Sequence, residues 1–240
     1  MSDIQLSLIL PTYNEAENLK LLLPRLAALF AGEKFEIVLV DDGSRDGTLA
    51  LTEAFARAHN IPLTPVLRAG KQGIGSAVRA GYDAGRGDIL FSMDADCAFS
   101  DADIAAAWGK FNREQLDFLV GQRTGASYHS DSWRTLLKKS FSIAGNWFVS
   151  RLVGMVGVND YSLNFRLIKS GLWQAIAHRP YHARNFFFFQ MIDYARLVNG
   201  VRIAQIPVQF LDRRYGASKM NVLKDPFIFF YNFIVWKLRR

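Results

Sequence analysis

Two aspartates, Asp94 and Asp96, stand one residue apart in the stretch FSMDADCAFSD (91–101), directly after an apolar run. On a continuing strand, side chains at i and i+2 point to the same face. Two carboxylates placed so repel each other unless a cation joins them. Mg²⁺ and Mn²⁺ are hard ions that take carboxylate and phosphate oxygens together, so they suit such a pair. A lone Asp-x-Asp is equally readable as a solvated acidic turn, and its neighbours decide between the two. Asp101 and Asp103 follow closely, but they fall in the first turn of an expected helix behind Ser100. Carboxylates there favour the free N–H groups and the helix dipole, so capping is preferred over ligation.

Two other stretches carry polar residues at the end of an apolar run. LSLIL (6–10) leads into PTYNE (11–15), and FEIVLV (35–40) leads into DDGS (41–44). If these runs are parallel strands of an open sheet, their carboxyl ends share one rim, where ligands bind. An aromatic, Tyr13, and five acids, Glu15, Asp41, Asp42, Asp94 and Asp96, are then expected at that rim. This convergence is more specific than any one of the motifs. GIGSAVRAG (73–81) lacks the third glycine of a dinucleotide fingerprint, because Val78 stands in its place, and it is not a Walker loop. Its glycines are read as opening a helix and allowing close packing, with Lys71 near a ligand phosphate.

The elements needed to position these residues are legible. Strands are expected at 6–10, 35–40, 62–67, 88–93, 117–121, 164–168 and 201–210, and helices at 15–31, 46–59, 73–86, 101–111, 132–153, 170–177 and 188–199. Strand–helix alternation predicts right-handed crossovers and a mostly parallel sheet. The strand runs are apolar throughout, as strands covered on both faces should be. Asn14 with Glu17, and Ser100 with Asp103, have the spacing of helix caps. Pro24 is expected to kink or split the first helix.

The 240 residues suit one compact domain with an extension, and the single Cys97 points to a reducing compartment. No signal peptide is read at the N-terminus, and no apolar run reaches the roughly 18 residues of a spanning helix. Residues 1–120 carry a net charge of −6 and residues 121–240 a net of +13. An acidic first half suits a cation. A basic second half suits phosphates of a ligand or a membrane surface. The terminal FIFFYNFIVWKL (227–238), followed by Arg239 and Arg240, suits an interfacial helix, a face packed on its own domain, or a dimer contact. NFFFFQ (185–190) is read as core or as lining for a lipid chain.

LPTYNEAENL, IVLVDDGSRDGT, KQGIGSAVRAGYDAGRGDILFSMDAD, GQR and DRRYGASKM occur in that order along the chain. Together they resemble the inverting GT-A glycosyltransferases of family 2, in the dolichol-phosphate mannose synthase-like, polyprenyl-phosphate branch. The resemblance implies an α/β GT-A (Rossmann-like) fold, a mostly parallel sheet flanked by helices with a C-terminal amphipathic helix. It implies a catalytic domain over 1–220, with a nucleotide and metal half (1–122) and an acceptor half (123–220), and a terminal helix at 221–240. It also implies donor contacts from Pro11, Tyr13, Glu15, Val40, Asp42, Asp94, Ala95, Asp96, Arg123, Arg213 and Lys219. Asp94 and Asp96 hold Mg²⁺ or Mn²⁺ in this reading, Asp96 and Arg123 are catalytic, and Arg134, Lys138 and Ser142 bind the acceptor. Relatives in this branch commonly carry Gln where Ala98 stands.

The implied reaction moves a sugar, mannose first, from a nucleotide sugar, GDP-mannose first, to a polyprenyl or dolichyl phosphate. The absence of Q-x-x-R-W favours a single transfer over processive synthesis. The implied partners are the nucleotide sugar, the lipid phosphate and a membrane surface, with no nucleic acid. The place is the cytoplasm, peripheral on the membrane's cytoplasmic face. A homodimer or an anchoring partner subunit stays open. The alternatives are a UDP-sugar enzyme with another acceptor, lipid or not, and a non-catalytic sugar-nucleotide-binding subunit.

Overall fold

The computed structural model describes residues 4–123, 160–209, 228 and 231–236. The expected helix over 132–153 and the segment 210–220 lie outside them. Seven strands, β1 (Leu6–Thr12), β2 (Phe35–Asp41), β3 (Leu63–Leu67), β4 (Ile89–Met93), β5 (Phe118–Arg123), β6 (Phe165–Lys169) and β7 (Ile203–Val208), form one sheet in the order β3-β2-β1-β4-β6-β5-β7. Among the described residues, the helices α1 (Ala16–Leu29), α2 (Thr48–Ala58), α3 (Ile74–Ala84), α4 (Asp101–Arg113), α5 (Ser170–Ala177) and α6 (Phe186–Ala195) accompany them, and residues 231–236 are also helical.

β1 runs parallel to β2 and β4, β2 to β3, and β5 to β7. β6 alone is reversed, lying antiparallel between β4 and β5. The carboxyl ends of β1, β2, β4 and β5 therefore share a rim with the amino end of β6. The chain leaves β1 toward β2 on one side, and β4 flanks β1 on the other, which makes the crevice between them a topological switch point.

Both faces of the sheet are covered. Leu8, Leu10, Ile37 and Leu39 pack into one core layer with Leu19, Leu22, Leu26 and Phe111 from α1 and α4. The alternate residues Ile9, Val38 and Val40 pack into the other, with Val78 of α3 and Phe187 of α6. Every residue of β1 and β2 is buried, which explains why these strands are mostly apolar on both faces. Gly81 brings α3 onto β1, since a Cβ there would lie 2.3 Å from Ile9 Cγ2. Gly73 opens α3 at φ +105°, a conformation that favours glycine.

Two local expectations change. α1 runs on through Pro24 as a single helix, anchored by the buried Leu19, Leu22, Leu23 and Leu26. Its start is capped by distant residues and not by Asn14. Asp46 Oδ2 accepts from Ala16 N at 3.0 Å, and Thr48 Oγ1 from Glu15 N at 3.0 Å. Asn14 instead adopts φ +55° and accepts from Arg45 N. β1–β2 pairing brings the 44–48 loop close enough to displace the local cap. Ser100 does cap α4, accepting from Asp103 N at 3.1 Å.

A buried acid ties the opposite rim. Glu36 accepts from Ser7 Oγ (2.7 Å), Thr64 Oγ1 (2.8 Å), Arg86 N (2.7 Å) and Arg86 Nε (2.9 Å). Burial alone would raise its pKa, but the Arg86, Ser7 and Thr64 bonds together hold the carboxyl below the usual range. A depressed pKa contributes stability above the unfolded value, near 4.3, that is lost as pH falls through the folded value. Glu36→Gln is expected to lower unfolding free energy by about 2 kcal/mol at pH 7. It should also flatten the loss of stability on acidification below about pH 4.3. Urea titrations of both proteins across that range measure the difference.

Candidate active site

The rim of β1 and β2 comes first. Pro11 and Val40 are register partners, so they sit side by side at the carboxyl ends of the two strands. Of the two acids in DDGS, Asp41 is consumed by the turn. It accepts from Thr12 Oγ1 (3.0 Å), Gly43 N (3.0 Å), Ser44 N (2.7 Å) and Ser44 Oγ (2.5 Å). Asp42 is not held by the turn. It lies 3.0 Å from Arg68 Nη1, and that guanidinium also donates to Ser76 Oγ at 2.6 Å. Burial raises the Asp42 carboxyl above its ordinary range, against the pull of Arg68. Tyr13 lies nearby under Lys71, whose Nζ is 3.6 Å from the ring centroid. Glu15 begins α1 and accepts from Asn18 Nδ2 at 2.6 Å. An aromatic face, a half-desolvated acid and two cations thus gather at one end of the crevice.

The other end is the Asp94–Asp96 turn. β4 stops at Met93, and the chain bends over 95–97 before Ser100 starts α4. The strand ends before Asp94, so its pleat does not set the two carboxylates on one face as the i, i+2 spacing suggests. Cys97 takes φ +60°, and its thiol donates to Asn18 O at 3.4 Å, pinning the turn to α1. Asp96 is 3% exposed and accepts from Ala98 N at 3.1 Å. Ala95 and Ala98 are buried. Asp94 accepts from Asn164 Nδ2 at 3.0 Å. Asp101 and Asp103 are occupied elsewhere, by Arg25 (2.6 Å) and by Ser100 (2.7 Å).

Among the described residues, no three His, Cys, Asp or Glu side chains come together as a metal cage. Asp94 and Asp96 fit an ion that keeps other oxygens of its own, as Mg²⁺ does when it bridges a phosphate. The buried Oδ1 of Asn164, with no partner among the described residues, marks this same place as one that needs a further donor or cation.

Arg123 ends β5 at the same rim. Its Nε donates to Asp160 Oδ2 (2.8 Å), and its Nη2 to Asp160 Oδ1 (3.1 Å) and Ser162 Oγ (2.6 Å). Burial would raise the Asp160 carboxyl, but Arg123 outweighs it and holds the pKa below the ordinary range. The 160–164 segment is held from beneath by Arg166. That residue is fully buried and donates to Tyr161 O (3.2 Å), Leu163 O (2.9 Å) and Phe188 O (2.9 Å).

The structure therefore brings Pro11, Tyr13, Glu15, Val40, Asp42, Asp94, Ala95, Asp96 and Arg123 to one rim. Arg134, Lys138, Ser142, Arg213 and Lys219 lie outside the described residues. Two contributors escaped the sequence reading. Arg68 follows the end of β3, so applying the rim rule to that strand as well would have found it. Asn164 has no such signal, because it reaches Asp94 through β4–β6 pairing.

Residues 7–173 match Glycosyl transferase family 2. Polyprenol monophosphomannose synthase of Mycolicibacterium smegmatis is 31% identical over 218 residues, covering 89% of this chain and 80% of that protein. Dodecaprenyl-phosphate galacturonate synthase of Rhizobium johnstonii is 28% identical over 224 residues, covering 92% of this chain and 63% of that protein. The fold resembles that of glucosyl-3-phosphoglycerate synthase from Mycobacterium tuberculosis in complex with Mn²⁺, UDP and phosphoglyceric acid. The TM-score is 0.65 at 17% identity, over 89% of this chain and 72% of that one.

Asp160→Asn should leave the guanidinium of Arg123 without its counter-charge. A loss of about 2 kcal/mol in unfolding free energy is expected, read by urea denaturation. Asp101→Asn, at an exposed pair, should change stability by less than about 0.5 kcal/mol.

Proposed function

Since the chain belongs to glycosyl transferase family 2 and is a glycosyltransferase, we propose that it transfers mannose from GDP-mannose to a polyprenyl or dolichyl phosphate, with inversion at the anomeric carbon. The observation that carries this reading is the shared rim. Pro11 and Val40, with the Asp42–Arg68 pair and Tyr13 under Lys71, stand at one end of the crevice and the Asp94–Asp96 turn at the other. Similarity to a polyprenol monophosphomannose synthase supports the lipid phosphate as acceptor.

Asp94 and Asp96 would hold Mg²⁺ or Mn²⁺. The bound ion supplies neutralisation of the leaving diphosphate. Asp42 and Glu15 accept from the base and ribose, the ring of Tyr13 lies against the base, and Ala95 lets the diphosphate approach the backbone. Arg123, Arg213 and Lys219 supply positive charge for the donor phosphates in this reading.

The acceptor needs no general base. A phosphate monoester has a second pKa of about 6 and is largely a dianion at pH 7. Its entry needs cations, which Arg134 and Lys138 supply, with Ser142 donating to a phosphate oxygen. Catalysis then rests on positioning and on charge stabilisation. A different sugar on the same lipid phosphate is the second reading, favoured by the galacturonate-transferring relative.

No described helix is long and apolar enough to cross a membrane. Residues 231–236 are helical, with Phe233 and Trp236 against Phe189 at ring distances of 5.5 and 5.3 Å. Tyr231, Ile234 and Ile228 face outward, at 68%, 43% and 37% exposure. We infer that this outer face rests in the headgroup layer on the cytoplasmic side of a membrane.

Radiolabelled GDP-mannose, Mg²⁺ or Mn²⁺ and a polyprenyl phosphate should yield counts in the organic phase. Asp96→Asn should lower that transfer at least about 100-fold. Undiminished transfer by this variant, or without a divalent ion, would overturn the mechanism. Transfer from another nucleotide sugar only would move the assignment to the second reading. Replacing Ile228, Tyr231 and Ile234 with Ser should reduce sedimentation with anionic liposomes while leaving Tm near its original value. Unchanged sedimentation would remove the membrane face.

A further inference from the structure

We propose that Asn164 is a positioning residue for the cation site, holding Asp94 through its amide nitrogen and offering its amide oxygen to a water bound by the ion. The inference rests on reading Asp94 and Asp96 as the cation pair. Its own support is the β4–β6 ladder. The last register pair is Met93 with Phe165, so Asp94 and Asn164 face each other one step beyond it. Asn164 is 3% exposed, and its Nδ2 donates to Asp94 Oδ1 at 3.0 Å. Its Oδ1 is buried and accepts from nothing among the described residues. A buried amide oxygen left without a donor is costly, so its presence calls for one.

The chemistry of the residue type fits the place. A guanidinium or ammonium on Asp94 would fix the carboxylate but compete with a cation for its charge. A carboxamide fixes it and adds none. The remaining oxygen is a neutral acceptor, suited to the ordered water that hard divalent ions retain. The backbone around it is rigid. Phe165, the next residue, packs on Phe99 at 4.6 Å and Phe91 at 5.1 Å. Those rings belong to the chain just before and after the Asp94–Asp96 turn, so position 164 moves with the turn. Arg166 holds the carbonyl of Leu163 at 2.9 Å, immediately before the asparagine. Partners of this second kind typically change metal affinity about 10–100-fold when removed.

The test is Mn²⁺ binding to the full chain without nucleotide, followed by the loss of the free-ion electron paramagnetic resonance signal. Melting temperatures are taken with and without the ion. Asn164→Ala should bind Mn²⁺ about 10–100-fold more weakly and gain less Tm from it than the original protein. Asn164→Asp loses the donor and sets a second carboxylate beside Asp94, so it should melt lower without metal and recover more on adding it. A purely structural role would lower both melting curves equally and leave the Mn²⁺ gain unchanged. Equal Mn²⁺ affinity in the original protein and in Asn164→Ala overturns this inference alone. A Tm gain for Asn164→Asp no larger than the original also overturns it, and this arm serves if the alanine variant does not fold. A failure of the original protein to bind Mn²⁺ overturns the cation reading together with it.

Discussion

A single buried cation organises the active rim. Arg166 has no solvent exposure, yet its guanidinium satisfies three backbone carbonyls, of Tyr161, Leu163 and Phe188, and lies against the Phe188 ring at 4.9 Å. Burial pushes its pKa down to about 10, which leaves it charged at neutral pH. A cation stripped of water is tolerable only where its donors are matched. Meeting that demand fixes the path of residues 161–163, and the two side chains that bracket them follow. Asp160 is set against Arg123, and Asn164 against Asp94. The bond to Phe188 O adds α6, so the aromatic layer beneath the sheet and the site above it are held by one residue.

The reversed strand gives that constraint its reach. If β6 were parallel, its carboxyl end would stand at the rim and residues 160–164 would lie on the far side of the sheet. Because it runs antiparallel between β4 and β5, its amino end rises beside Met93 on one side and Val120 on the other. The approach to β6 can then touch both the Asp94–Asp96 turn and Arg123. The two rims carry different electrostatic burdens. Around Glu36, every acceptor position is matched and the carboxyl is held below its ordinary range. Around Asp42, desolvation dominates and the carboxyl is raised. The first arrangement stabilises the fold; the second leaves an acid at the rim whose charge is only partly compensated by Arg68.

The charge layout suits the proposed chemistry. A diphosphate leaving group and a dianionic acceptor bring several negative charges into one crevice. The acids proposed to bind the cation belong to the first half of the chain and most of the basic residues to the second, so the sheet must join the halves to assemble the proposed site. Catalysis without a general base places the burden on geometry, which is why rigid devices such as the Cys97 turn and the Arg166 anchor matter at this rim.

The strands and helices were legible in the sequence, but the strand order and the reversal of β6 were not. All seven strands and the helices α1 to α6 were legible as periodic runs with local stop signals, to within a few residues. Tyr13 and the five rim acids followed from one topological rule, and Pro11, Val40, Ala95 and Arg123 from the resemblance. The resemblance to family 2 was legible in contiguous blocks such as LPTYNE and DDGS. What only the tertiary structure decided was which of those residues are free to act. Asp41 and Asp42 look equal in the chain, but the turn consumes one and burial primes the other. Asn14 has the spacing of a cap, yet Asp46 and Thr48 take that role from across β1 and β2. Asn164 meets Asp94 from 70 residues away. Periodicity and capping are read over a few residues because they are local. Partner choice for a buried polar group is settled by whatever the fold brings within about 3 Å, and no local pattern encodes that distance.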